Sequence, residues 1–254
     1  MNKMVSVLVD LSVRRYGIFA EDVQIEKKIN WGGHEHTSLI AGWKRKPDRS
    51  ATEGWLQKQI LYLPTIARLT KEGTVECYSY IELTFEEARG TGGMRGTFGD
   101  LFAGVNVKNC LSAVNRSRFR QNVDFSEYLR KEGLPEFCDF LLKLDPSLLR
   151  QAREFYNMLP VFEQESLMQL ERFKSLCRHL SERHYSDAFH LWTAQANGPD
   201  YFLTLDKKFV NAVSSIRDYN FRSKPILPEQ LLNVLGVTKI DPHPFPGSDP
   251  RYFE

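Results

Sequence analysis

The chain has no long apolar run, no paired cysteine motif, no excess of charge of either sign and no Walker-type lysine. Each absence removes a class of function. The apolar run from Val5 to Leu11 falls far short of the about 20 residues that a membrane-spanning helix needs, and no signal-type cleavage site follows it. Neither a membrane span nor secretion is expected. The four cysteines, Cys77, Cys110, Cys138 and Cys177, are scattered without a CxxC pair. That spacing argues against a zinc ribbon or a disulfide framework and suits free thiols in a cytoplasmic protein. A net charge of +2 with a pI of about 8.3 is too weak for a protein that coats nucleic acid nonspecifically, so any such contact must come from local patches. The glycine-rich stretch Gly90 to Asp100 lacks the Lys-Ser/Thr of a phosphate-cradling loop. No internal repeat or low-complexity tract is found beyond a proline-rich end, residues 241–254, which is expected to be loose or draped on the surface.

What is present is a core. Hydrophobic residues make up 42% of 254, ample for one large domain or two small ones. Met4 to Val9 reads as a buried strand ending at Asp10. Residues 23–43 read as a hairpin turning at Gly32-Gly33. Its His34 and His36 share a strand face, and solvated hairpin residues are the simpler reading of them than metal ligands. Thr52 to Thr70 reads as a helix that Pro64 bends or splits, Thr74 to Ile81 as a second strand, and Glu82 to Arg89 as a helix. Short helices are expected near 126–132, 135–143 and 146–155, and a short strand at Tyr156 to Val161. A long helix is expected from Glu163 to His184, then a final strand before the helix from Pro228 to Leu235.

The stretch Ser186 to Phe209 organises the chemistry. It encodes a helix of about 11 residues at ~1.5 Å per residue, a stop at Gly198-Pro199, and a strand of about 5 residues, Tyr201 to Leu205, at ~3.3 Å. Both are ~16 Å long, so an antiparallel return brings Asp187 and Asp206 together. Strands alternating with helices imply an α/β sandwich with a central, mostly parallel sheet. Asp10, the Glu82, Glu86 and Glu87 group, Asp187 and Asp206 then fall on one sheet edge. Carboxylates converging there resist ionising unless a cation neutralises them, and hard divalent Mg²⁺ or Mn²⁺ prefers such oxygen ligands. The reaction implied is hydrolysis of a phosphate ester or phosphodiester by metal-activated water. Around this centre, Lys207 and Lys208 can meet a substrate phosphate or simply compensate charge. Arg116, Arg118 and Arg120 beside Phe119 can track a phosphate backbone, or form an ordinary basic helix face. His190, one turn after Asp187, can touch the site, with a structural histidine the simpler reading, and Asp200 reads as a turn-former.

Several of these pieces resemble the PIN-domain family. They are Asp10 with Ser12 after an apolar strand, the spacing from Ser79 to Glu86 with Gly90 after it, the D-A-x-H of Asp187 to His190, the D-Y-F-L-T-x-D-K-x-F of Asp200 to Phe209, and the I-L-P-E-Q-L-L of Ile226 to Leu232. The resemblance implies a three-layer PIN-like domain over residues 1–240, with a hairpin insertion at about 17–50 and a helical insertion at about 91–155. It implies a metal-dependent endoribonuclease whose metal-binding and catalytic acids are Asp10, Glu86, Asp187 and Asp206, with Ser12 beside the first. It also implies single-stranded RNA as substrate, 5′-phosphate and 3′-hydroxyl product ends, and a toxin or defence role with an antitoxin or other protein partner; a homodimer is a further expectation. Counting back from Gly90 selects Glu86 as the second acid, whereas the spacing from Thr84 favours Glu87. Two rivals stand beside this reading: an inactive PIN-like scaffold that binds RNA or protein, and a haloacid-dehalogenase-like phosphatase, whose second aspartate is here replaced by Ser12.

Overall fold

The computed structural model describes residues 4–47, 54–89, 99–119, 126, 129–244, 247 and 249–252. Strand β1 (Val5–Val9) is the axis of the molecule. Its side chains alternate between two cores: Val5, Val7 and Val9 point into one, and Leu8 into the other, as the period of two along a strand requires. On one side β1 pairs in parallel with β4 (Val75–Ser79), which pairs with the short β5 (Val107–Asn109). On the other side it pairs in parallel with β6 (Tyr201–Leu203), which pairs with β7 (Lys224–Ile226). The order β5-β4-β1-β6-β7 is fully parallel.

Helices cover both faces, giving an α/β sandwich. One core joins Leu8 and Phe202 to α4 (Ile81–Arg89), α5 (Gly133–Lys143), α9 (Leu170–Cys177), α10 (Tyr185–Asn197) and α11 (Lys207–Ser214). The other joins Val7, Val9 and Leu203 to α1 (Leu11–Gly17), α3 (Leu63–Lys71) and α12 (Pro228–Val234). Proline splits the helix expected at 52–70: α2 (Gly54–Ile60) ends where Leu63-Pro64 begins α3. Proline lacks the N–H that an interior turn would use, so it is tolerated in a first turn and not in the middle.

A hairpin follows α1, consisting of β2 (Ala20–Trp31) and β3 (His34–Arg45), paired antiparallel from Ala20 with Arg45 to Trp31 with His34. Gly32 and Gly33 both take left-handed angles, φ 64° and 83°, which the turn needs and a residue with a Cβ resists.

Four expectations are corrected. The run Tyr156 to Val161 is not a strand, because Arg153–Met158 forms helix α7, following α6 (Pro146–Gln151); a short apolar run carries no period that separates the two. The helix expected from Glu163 to His184 is broken into α8 (Val161–Met168), α9 and a 3-10 turn, Glu182–His184, with Gln169 leaving helical angles at φ −100°, ψ 15°. The segment 91–155 is not purely helical, since it supplies edge strand β5. The proline-rich end is not loose throughout: β8 (Arg251–Tyr252) pairs with β3, Asp241 bonds to Arg68, and His243 packs edge-on against Phe19. The helix expected at 126–132 lies largely outside the described residues. No helix among the described residues is long and apolar enough to cross a membrane.

Candidate metal centre at the sheet switch point

After β1 the chain leaves toward β4, and after β6 it leaves the opposite way toward β7. Neighbouring strands whose connections diverge open a crevice at their C-terminal ends, where parallel sheets place ligand chemistry. Asp10 follows β1 and Thr204 to Asp206 follow β6, so both sides of that crevice carry polar residues.

Asp10 is fixed from three directions. Its N–H donates to the Leu203 carbonyl at 2.9 Å, and its Oδ2 accepts from Ser12 Oγ at 2.5 Å and Thr204 Oγ1 at 2.7 Å. Ser12 Oγ in turn accepts from the Leu205 N–H, and Thr204 Oγ1 from the Asp206 N–H. This lattice ties the start of α1 to the end of β6. Burial first, then the charge of Asp187, pushes the Asp10 carboxyl up to about 6; the hydroxyls and His190 offset only part of that.

Asp187 and Asp206 do meet, by a route that differs in detail from the expected one. Helix α10 starts at Tyr185, one residue before the expected cap, and stops at Gly198 with φ 88°. Strand β6 covers three residues instead of five. Asp206 then becomes the N-cap of α11, its Oδ1 accepting from the Phe209 N–H at 2.9 Å. Its other oxygen is left facing Asp187. Between them stands buried His184, whose Nδ1 lies 3.3 Å from Asp187 Oδ2 and 3.8 Å from Asp206 Oδ2. One ligand atom from each of the three lies within 4.8 Å of the others. His184 went unnoticed in the sequence, although it precedes Asp187 by one helical turn and so shares its face.

The three glutamates of α4 separate cleanly. Glu82 turns inward and forms a two-point ion pair with Arg116, Nε to Oε1 at 3.1 Å and Nη2 to Oε2 at 2.9 Å, with both side chains fully buried. Glu87 lies 3.6 Å from Arg14. Glu86 alone faces the aspartates, through His190. The buried imidazole of His190 sits 3.3 Å from Glu86 Oε1 at Nε2 and 2.6 Å from the Tyr80 hydroxyl at Nδ1. Burial alone would lower its pKa, but the charge and hydrogen bond of Glu86, followed by Asp10 and Asp187, raise it to about 9. Burial likewise would raise Glu86; His190, then Arg89 and Arg15, outweigh it and hold that carboxyl below its ordinary value. The acidic neighbours of His190 thus favour the protonated imidazole. His190 touches the site, the less simple of the two roles that its place one turn after Asp187 allows.

The candidate substrate contacts fare unequally. Arg116 is a core residue in this structure and has no exposed surface to offer a phosphate. The basic-helix reading of its segment also fails, since Arg116–Arg118 is a single 3-10 turn. Arg118 is engaged with Glu163 at 2.9 Å, and Arg120 lies outside the described residues. Ser12 contacts Asp10 directly, as expected. Lys207 is exposed beside Asp206, its Nζ 5.3 Å above the Trp55 ring. Asp200 lies at the opposite sheet edge, accepting from the Ser6 N–H and hydroxyl. His34 and His36 are exposed on the hairpin. A further cation lies near the acids: Arg89 follows Glu86 by three residues on α4, and its Nε and Nη2 are shielded from water with no hydrogen-bond partner among the described residues.

The donor set fits a divalent cation. Asp187 and Asp206 present carboxylate oxygens with His184 as a nitrogen donor; Asp10 lies outside that group but close enough that, after burial, the charge of Asp187 raises its carboxyl, a repulsion that a cation would relieve. Comparisons with protein-family models, with curated proteins and with solved structures found no match to this chain.

Proposed function

We propose that this chain is a divalent-cation-dependent endoribonuclease built on a PIN-like domain. The observation that carries the reading is the grouping of His184, Asp187 and Asp206, whose ligand atoms lie within 4.8 Å of one another, with Asp10 at the end of β1 near enough to feel the charge of Asp187. Asp10, Asp187, Asp206 and His184 would hold Mg²⁺ or Mn²⁺. A cation bound there supplies Lewis acidity toward a phosphoryl oxygen and a water of lowered pKa. Ser12 and Thr204 keep Asp10 in one rotamer, so its oxygens need no reordering when substrate arrives. His190 holds Glu86 in place and offsets part of the negative field that would otherwise repel a phosphodiester. Lys207, exposed beside Asp206, supplies charge for the strand's phosphates, and Arg89 adds positive charge beside Glu86. Single-stranded RNA is the substrate this reading favours, with a toxin or defence role and a protein antitoxin as its biological setting.

The test compares the purified protein with Asp10→Asn on single-stranded RNA and DNA with Mn²⁺. Loss of RNA cleavage in the variant supports the reading, whereas equal cleavage by both proteins, or by neither with any divalent metal, would sink it. One observation favours an inactive, RNA- or protein-binding scaffold instead: His190 Nε2 lies 3.3 Å from Glu86 Oε1, so that acid already has a partner without a metal. Calorimetric titration with Mn²⁺ separates the two, since a scaffold need show no binding that depends on Asp187 and Asp206.

A further inference from the structure

The β2–β3 ribbon is the largest feature that the candidate site leaves unused. Its strands of 12 residues reach roughly 40 Å at ~3.4 Å per residue. Only the root is covered, where Gly42 and Trp43 are buried and pair with Tyr252 and Arg251. From Glu26 to Thr37 every residue is exposed, including Ile29 at 39% and Trp31 at 80%. Strand β3 has neighbours on both sides, whereas among the described residues β2 is paired on one side only. A two-stranded ribbon is marginally stable in water by itself, and a long exposed edge is a template for another strand.

The sequence of that edge is self-complementary. Val23 to Trp31 reads V-Q-I-E-K-K-I-N-W. Folded back on itself about Lys27, it sets Glu26 against Lys28, Ile25 against Ile29, Gln24 against Asn30 and Val23 against Trp31. Acid meets base, amide meets amide, and apolar meets apolar. In an antiparallel pair related by a two-fold axis, opposed residues have the same parity and therefore share a face.

We infer that the outer edge of β2 pairs antiparallel with the same edge of a second copy of this chain, with the two-fold axis at Lys27. The result is one continuous sheet of six strands, β8-β3-β2 followed by the partner's β2-β3-β8. On one face Val23, Ile25, Ile29 and Trp31 of both copies form an apolar strip, backed by Ile40, which lies opposite Ile25 in the ribbon. On the other face two Glu26–Lys28 pairs form, each Lys28 exchanging its exposed partner Glu35 of the same chain. Moving the axis to Glu26 would oppose that acid to itself and set Ile25 against Lys27; moving it to Lys28 would set Lys27 against Ile29. Cross-strand matching therefore selects one register. Lys27 faces its own copy, but a long exposed stem lets the two ammonium groups diverge into water. The pairing stands apart from the nuclease reading, since no residue of the ribbon belongs to the acidic centre.

Sedimentation equilibrium on the full chain tests it. With rising concentration the mass should move from 29.5 kDa toward twice that value. Glu26→Lys and Lys28→Glu, each of which opposes like charges at two symmetric places, should hold the protein at the monomer mass. The combined swap should restore association, and circular dichroism at a concentration where the wild type is monomeric should show unchanged melting for all three. As a second measurement, Lys27→Cys should cross-link to its own copy under mild oxidation, because opposed Cα atoms ~4.5–5.5 Å apart lie within disulfide reach. Lys28→Cys, which faces Glu26 of the partner copy, should not. A wild-type protein that stays monomeric throughout, single charge variants that still associate, or equal cross-linking at both positions would overturn the inference.

Discussion

Replacing Asp10 by asparagine should stabilise the metal-free protein at neutral pH while abolishing metal-dependent behaviour. The Asp10 carboxyl is raised from 3.8 to about 6, by burial first and by Asp187 second. That is about 2 pKa units, or about 3 kcal/mol at 1.36 kcal/mol per unit. The sign follows from which state holds the proton more tightly. A carboxyl with a raised native pKa adds no penalty below pH 3.8, where both states are protonated. As pH rises the unfolded chain gives up its proton first, so stability falls until the native carboxyl ionises near 6 and then stays lower. Asparagine keeps the shape and the Ser12 and Thr204 contacts without the charge. Urea unfolding in chelator should therefore show Asp10→Asn more stable than wild type by about 3 kcal/mol at pH 7.5, roughly half that at pH 5, and by little at pH 3.5. Added Mn²⁺ should raise the wild-type midpoint and leave that of the variant nearly unchanged, because a ligand stabilises only the state that binds it. A variant no more stable than wild type at pH 7.5, or a difference flat across pH, would refute the view that these acids are crowded and desolvated.

Two other perturbations probe the surroundings of the centre. Arg116→Met leaves Glu82 buried without its partner and should cost about 3–5 kcal/mol of stability, read as a lowered thermal midpoint; a variant that unfolds like wild type but binds RNA more weakly would return Arg116 to the substrate-contact group. Lys207→Gln should weaken binding of single-stranded RNA in Ca²⁺ and reduce the slope of log K against log salt by about 0.7, the loss of one phosphate contact. An unchanged slope would mean that its ammonium serves no strand.

How much of this was legible follows from the reach of each contact along the chain. Asp187 and Asp206 lie 19 residues apart within one helix–strand unit, and matching two element lengths was enough to bring them together. Although β6 is shorter than its sequence suggests, residues 204 and 205 continue toward the same crevice before Asp206 caps the next helix. Local spacing leaves the choice between Glu86, counted back from Gly90, and Glu87, counted from Thr84, unresolved. Glu82 is taken by Arg116, 34 residues beyond it, and Glu86 is selected by His190, 104 residues beyond it; neither pairing leaves a trace in spacing. The basic run at Arg116, Arg118 and Arg120 misled for the same reason, since a cation's role depends on whether an acid from elsewhere reaches it first. Strand β5 was missed because Val107-Lys108-Asn109 is too short and too polar to carry a period, and only the exposed edge of β4 makes it a strand. His184 differs from all of these. It lies one turn before Asp187 on the same face, and a search for nitrogen donors alongside oxygen donors would have found it. A centre with one imidazole among its carboxylates should bind Mn²⁺ more tightly than Mg²⁺, because imidazole suits transition metals and Mg²⁺ prefers oxygen. Competition calorimetry on wild type and His184→Ala measures that preference; an equal Mn²⁺ to Mg²⁺ affinity ratio in the two proteins would remove His184 from the donor set.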